Sequence, residues 1–135
     1  MSLKSLDIMK VLASQDSLEL FTIIAKNNDI NSRLLQSKSK LTGKRYYSGV
    51  RRLIACSLVR RKSKNLSLTT FGQAVNDLKV KMDSIVNESY RLKAVDVIMD
   101  LKGMGEKERM DLIGKFIKDI ELRSILMGRM KSGST

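Results

Sequence analysis

Histidine, proline and tryptophan are absent from this chain of 135 residues, and there is one cysteine, Cys56. Without histidine, Ser-His-Asp and Cys-His nucleophilic pairs and histidine-bearing zinc sites are excluded. A lone cysteine forms no internal disulfide, and we expect Cys56 to be a small buried hydrophobic residue. An enzyme would have to work through carboxylates, lysine or tyrosine, and no catalytic pair of these is apparent. The sequence therefore predicts no catalytic residue, no cofactor and no bound metal.

Long apolar runs are missing as well. A membrane-spanning helix needs about 18 or more consecutive apolar residues, and the chain has no such stretch. The first ten residues include Lys4 and Asp7 and lack the apolar core of a secretory signal. We therefore expect no membrane association and a cytoplasmic location. The length suits one domain, or one small domain with a helical appendage.

Acidic residues are absent between Asp29 and Asp77. The intervening 30–76 segment carries 11 of the 26 basic residues, and the remainder of the chain holds 15 basic and 14 acidic ones. Of the formal charge of +12, 11 units thus lie in about a third of the sequence. A field of one sign repels itself and weakens a fold, so its concentration indicates a polyanionic partner. The phosphate backbone of nucleic acid is the usual one.

Hydrophobic periodicity divides the chain into helices and one hairpin. Helices are predicted at about 3–12, 16–27, 31–37, 43–57, 73–101 and 106–127. Between the fourth and fifth, alternation over 58–62 and 66–70 around a turn at 63–65 predicts a short β-hairpin with a basic face. In the 73–101 helix, Ser89 and Asp96 interrupt the heptad register and indicate a break near 88–92. Gly103 and Gly105 mark a turn rather than a nucleotide loop, because no strand precedes them.

The 43–57 helix has the composition of a DNA-reading element. We expect its apolar stripe to face inward, and this stripe consists of Tyr46, Val50, Leu53 and Ile54. The outward residues then include Lys44, Arg45, Ser48, Arg51, Arg52 and Ala55. Arginine can bind guanine with two hydrogen bonds, and a small serine permits close approach to the bases of a major groove. Of the two neighbouring tyrosines, Tyr46 is expected in the core and Tyr47 on a phosphate. Gly49 has three open readings: it allows close helix packing, it allows close approach to DNA, or it has no particular role.

Four segments carry a resemblance to a known family. They are the Ser17–Ala25 run, the Leu41–Ser48 run with its Leu-Thr-x-Lys-x-Tyr-Tyr-Ser pattern, Leu58–Arg61, and Leu68–Gly72 with its Leu-Thr-x-x-Gly pattern. Together they resemble archaeal winged-helix DNA-binding transcriptional regulators over about residues 14–80. The resemblance implies a winged helix-turn-helix with a short β-hairpin wing, whose third helix enters the major groove, and a role in transcription regulation. The helices predicted from periodicity beyond residue 73 add a C-terminal helical extension, so the expected fold class is mostly α.

The periodicity of the whole chain, together with this resemblance over about residues 14–80, predicts the domain organisation and the site. An N-terminal helix or arm occupies 1–13, the winged-helix domain 14–72, helices for dimerisation or support 73–130, and a disordered tail 131–135. Double-stranded DNA is the implied partner. The predicted contact residues are Lys44, Arg45, Tyr47, Ser48, Arg51 and Arg52 on the recognition helix, and Arg61, Lys62 and Lys64 on the wing.

Three functions compete at this point. The favoured one is a non-enzymatic, sequence-specific DNA-binding regulator, acting as a homodimer so that two recognition helices meet one face of the duplex. The alternatives are a winged-helix module that docks on another protein of a transcription or replication assembly, and an architectural protein that binds DNA without sequence preference. Neither the target sequence nor an effector follows from these residues.

Overall fold

The computed structural model describes residues 2–117, 123–126 and 128. The order of elements is α1 (Ser5–Ala13), α2 (Gln15–Asn27), β1 (Asp29–Asn31), α3 (Ser32–Ser39), α4 (Gly43–Ala55), β2 (Val59–Lys62), β3 (Asn65–Leu68), α5 (Thr70–Asn87), α6 (Ser89–Lys102) and α7 (Glu106–Phe116). The chain divides into two compact units, Met1–Asp77 and Leu78–Thr135, with the boundary inside α5. Each unit is described by itself.

The first unit is a winged helix-turn-helix, as the sequence predicts. Its antiparallel sheet has the strand order β1-β3-β2. The predicted hairpin is confirmed: β2 pairs with β3, with Val59 opposite Leu68 and Arg61 opposite Leu66. The short strand β1 was not predicted. It places Ile30 opposite Leu66, and its three residues are too few to show an alternating pattern.

The core of the first unit lies where α2, α3 and α4 meet the sheet. Its fully buried side chains include Leu20, Phe21, Ile24, Leu35, Tyr46, Leu53, Leu58 and Leu66. The predicted inward stripe of α4 is confirmed at Tyr46, Val50 and Leu53 and is wrong at Ile54, which is exposed. With 3.6 residues per turn, Ile54 lies about 80° around α4 from Tyr46, on the flank rather than at the centre of the buried face.

Gly49 brings α4 close to α2. A β-carbon at this position would lie 2.6 Å from Cδ1 of Leu20, which is itself buried. The residue therefore permits close helix packing, one of the three readings that the sequence left open. This close contact fixes the position of α4 against the first turns of α2.

The turn between α3 and α4 and the polar contacts of Tyr46 set the angle between these two helices. Lys40 adopts a left-handed conformation at the end of α3, and the Thr42 side chain accepts a hydrogen bond from the Arg45 backbone nitrogen at the start of α4. The Tyr46 hydroxyl lies 2.6 Å from the Ser32 hydroxyl and donates to the Ser32 carbonyl at 3.1 Å. The Tyr46–Ser32 contacts join the start of α3 to the buried face of α4, so the two helices of the motif hold one orientation.

The second unit has a small core of its own. Val95 from α6 packs with Ile113 and Ile117, and Leu92, Met99, Leu112 and Leu126 surround them. The predicted break in the long helix is confirmed at Glu88, between α5 and α6. The glycine turn is also confirmed, with Gly103 in the left-handed conformation that favours glycine. No helix among the described residues is long and apolar enough to cross a membrane.

The last predicted helix differs from the structure in extent. α7 ends at Phe116 rather than continuing without interruption to residue 127. Residues 123–126 are helical again, while 118–122 and 127 lie outside the described residues. The predicted disordered tail, 131–135, also lies outside them.

Candidate nucleic-acid interface

The outward face of α4 carries Lys44, Ser48, Arg51 and Ala55. These four positions lie opposite the buried Tyr46 and Val50 at spacings of three and four residues. Lys44 and Arg51 are exposed and Ser48 is half-buried. The sequence placed Arg52 in the same stripe. Its Nη1 instead lies 3.5 Å from the Ser14 hydroxyl, on the flank of α4 that faces α2.

Arg45 lies on that same flank and is paired with Asp16. Its Nε donates to one carboxylate oxygen at 2.9 Å and its Nη2 to the other at 2.6 Å. The hydrogen bonds from Arg45 lower the pKa of Asp16 below its ordinary value, and they raise the pKa of Arg45. Asp16 therefore stays ionised at neutral pH, and the pair is lost only as the pH falls through this lowered pKa. A recess of about 200 Å³ joins the pair to Lys44, Ser48, Gly49 and Arg52.

Sequence reasoning missed Asp16 as part of the site. Asp16 and Arg45 are 29 residues apart and belong to different helices. The sequence marked Asp16 only as a residue near the start of α2, and nothing in local spacing shows that α2 and α4 pack closely enough for the two side chains to meet.

The flank of α4 away from α2 carries Tyr47. Its ring packs edge-on against that of Tyr46, with ring centroids 5.2 Å apart. Tyr46 is buried and Tyr47 exposed, in agreement with the sequence-based expectation. Tyr47 lines a second concave surface of about 370 Å³, which we name the wing recess; its lining is Asn31, Ser32, Arg33, Tyr47, Arg61, Ser63 and Lys64.

The predicted contact residues of the wing lie on two different faces of the hairpin. Arg61 pairs with the buried Leu66, so it lies on the inner side of the sheet and reaches the wing recess together with Lys64. Arg60 and Lys62 alternate with it and line a different concave surface, beside Asp29. The structure thus brings Arg61 and Lys64 together with Tyr47 and places Lys62 on the other face.

Cations converge on the wing recess from three separate elements. Arg33 comes from α3, Arg61 from β2, and Lys64 from the turn that follows. Within the part of the chain that the structure describes, none of the three has a carboxylate partner, and the same holds for Lys44 and Arg51 on α4. Held together without compensating acids, these side chains form a site for an anion. Arg33 belongs to this group of cations, although the sequence pattern marked it only as one of the basic residues of the 30–76 segment.

Metal binding and catalysis by a cysteine nucleophile have little support among the described residues. They contain no group of three or more cysteine, aspartate or glutamate side chains that would hold a metal ion. Cys56 is buried as expected, and burial raises the pKa of its thiol, so at neutral pH it is not a thiolate nucleophile.

Comparison with known proteins gives few matches. No family model matches the chain, and no curated protein does. Among solved structures, reduced HlyU from Vibrio cholerae N16961 has a TM-score of 0.48 at 18% identity, covering 58% of this chain and 86% of HlyU. NadR in complex with 4-hydroxyphenylacetate has a TM-score of 0.48 at 20% identity, covering 90% of this chain and 87% of NadR. HlyU and NadR are winged-helix transcription regulators. At this level of similarity, neither match assigns a function to the chain.

Proposed function

We propose that this protein is a DNA-binding transcription regulator that inserts α4 into the major groove and rests its wing on the neighbouring backbone. The observation that carries this proposal is a set of cations around one exposed helix face that have no carboxylate partner among the described residues: Lys44 and Arg51 on α4, with Arg33, Arg61 and Lys64 in the wing recess. α4 has 13 residues, so at 1.5 Å per residue it is about 20 Å long, and a helix of this size fits the major groove.

The two cation groups have different roles in this proposal. On α4, Arg51 lies on the outward face without a carboxylate partner in the described part of the chain, so it can bind a guanine edge, and the half-buried Ser48 leaves room for the base pair. In the wing recess, Arg33, Arg61, Lys64 and the Tyr47 hydroxyl bind neighbouring backbone phosphates, which fixes the register of α4 along the duplex. Lys62 and Arg52 lie outside both groups. The proposed role is binding rather than catalysis, in the cytoplasm.

Arg51→Ala tests the reading role of α4. We expect the substitution to lower the affinity for an enriched duplex, selected from a randomised pool, by about 5- to 150-fold more than the affinity for a scrambled duplex. Lys64→Ala is the matched control, because the loss of a phosphate contact lowers the affinity for both duplexes alike. Equilibrium binding measured by fluorescence anisotropy at one fixed salt concentration gives both ratios. Equal losses for the two variants on both duplexes would mean that the protein binds the backbone without reading sequence.

We further propose that the protein acts as a homodimer through α5. Leu78, Met82 and Ile85 are exposed and recur at helical spacing along the second half of this helix. Contiguous apolar surface of this kind is rarely left in water by soluble monomers. A two-fold dimer would cover the stripe and present two α4 helices to a pseudo-palindromic site.

Ile85→Asp is expected to convert the dimer to a monomer, because it places a charge within the covered stripe. Val80→Asp is the control: Val80 is an exposed apolar residue on the opposite side of the same helix. Light scattering at micromolar concentration measures the mass of each. A wild-type protein of monomer mass, or a mass that Ile85→Asp leaves unchanged, would contradict the dimer.

A further inference from the structure

Arg45 has a carboxylate partner, whereas Lys44 and Arg51 on the same helix have none among the residues that the structure describes. We propose that Asp16 is a specificity-determining positioning residue for DNA binding, whose carboxylate holds the Arg45 guanidinium by one edge so that the other edge reads a guanine. This inference rests on the proposed function and adds to it a residue from α2, outside the recognition helix and the wing.

The geometry of the pair leaves the reading edge available. A guanidinium has five N–H donors, and Asp16 takes the Nε–H and one Nη2–H. Both Nη1 hydrogens and the second Nη2 hydrogen remain. The Nη1–Nη2 edge is the two-pronged donor that matches O6 and N7 of guanine. The Arg45 side chain is still 58% exposed in the paired state, so the pair does not bury it.

The position of the pair fits a base-reading role. Arg45 is the third residue of α4, and the first turn of a recognition helix is the part that contacts base edges. Lys44 and Ser48 line the same recess as the Asp16–Arg45 pair, so the pair adjoins the outward face. The close contact of Gly49 with Leu20, one turn further along each helix, holds α2 and α4 in fixed relation.

Two physical effects then favour the correct sequence. A free arginine loses rotamer freedom when it binds. Asp16 orders the Arg45 side chain beforehand, so less conformational entropy is lost when Arg45 binds the correct base. The Asp16 carboxylate also repels phosphates and occupies the edge that a free Arg45 would offer them. Non-specific backbone binding is therefore weakened while guanine reading is retained.

The experiment compares Asp16→Asn with Glu19→Gln. Both changes remove one negative charge from α2, but Glu19 is exposed and forms no hydrogen bond with Arg45. Each protein is measured on the enriched duplex and on its scrambled form. We expect Asp16→Asn to reduce the preference for the enriched duplex about tenfold, through weaker specific and tighter scrambled binding. Glu19→Gln should leave the preference unchanged.

Arg45→Lys provides an independent test, since lysine keeps the charge but lacks the fork. We expect the same loss of preference, with no further loss when it is combined with Asp16→Asn. An unchanged preference in Arg45→Lys, or an equal rise in both affinities in Asp16→Asn, would overturn the inference; the equal rise would mean that Asp16 only sequesters Arg45. Wild-type protein that binds no duplex would instead remove the proposed function.

Discussion

Removing Arg61 and Lys64 together should lower the affinity for duplex DNA about 30-fold, because each solvent-exposed ion pair with a phosphate contributes up to about 1 kcal/mol. The slope of log affinity against log salt should become shallower by about 1.8, which corresponds to two fewer neutralised phosphates. Adding Arg33→Ala should bring the loss to more than about 100-fold and the change in slope to about 2.7. The physical reason is that these three cations line one recess without acidic partners in the described part of the chain.

The matched control for the wing is the Arg60→Ala/Lys62→Ala double variant. It removes the same charge from the same hairpin, but these residues line the face beside Asp29. We expect a loss of less than about threefold, from the general field alone. Equal losses and equal slopes for the two double variants would show that the wing contributes net charge and no defined contact.

Gly72→Ala should destabilise the first unit by about 3 kcal/mol or more, since small-to-large changes in a packed site already cost about 1–3 kcal/mol when only side chains must move. A β-carbon at Gly72 would collide with the Leu58 carbonyl oxygen and lie 2.9 Å from its carbonyl carbon. Leu58 is fully buried and its carbonyl accepts a hydrogen bond from the Thr69 nitrogen at 3.1 Å, so this backbone cannot withdraw. The start of α5 must move instead.

Urea unfolding followed by circular dichroism measures this effect. Gly43→Ala is the comparison, because a β-carbon there would meet only the end of the Gln36 side chain, at 3.9 Å. Gly43 begins α4, where alanine is the better helix former, so this variant should be as stable as wild type or more stable by up to about 1 kcal/mol. A Gly72→Ala variant as stable as Gly43→Ala would refute the described contact between α5 and the Leu58 backbone, which lies in the loop that joins α4 to β2.

Local patterns were sufficient to predict most of the fold. Helical spacing located α2 and α4, and alternation located the hairpin. The Ser89 and Asp96 interruption located the break at Glu88. Strand β1 escaped prediction because its pairing with β3 is a tertiary contact and only Ile30 among its residues is buried. The boundary of the buried stripe on α4 was wrong at Ile54, because whether a flank position is covered depends on neighbouring elements.

The candidate site was predictable in composition but not in arrangement. An acid-free basic segment indicated an anionic partner, and helical spacing placed Lys44, Ser48 and Arg51 on one face. The division of the wing was available from strand alternation, which puts Arg61 and Lys62 on opposite faces. The pairing of Asp16 with Arg45 depends on how α2 packs, and the place of Arg33 in the wing recess depends on how α3 packs. Local sequence patterns predict neither.

Salt-dependent duplex binding tests the central claim most directly. A fluorescein-labelled duplex is titrated with wild-type protein between about 50 and 200 mM salt, and the slope of log affinity against log salt is measured. In this proposal Arg45 and Arg51 contact bases. The cations available to phosphates are then Lys44, Arg33, Arg61 and Lys64, and four neutralised phosphates predict a slope of about −3.6 for each protomer. Affinity that stays flat across this range, or no binding at the lowest salt, would contradict a DNA-binding role and favour docking of the basic face on an acidic protein.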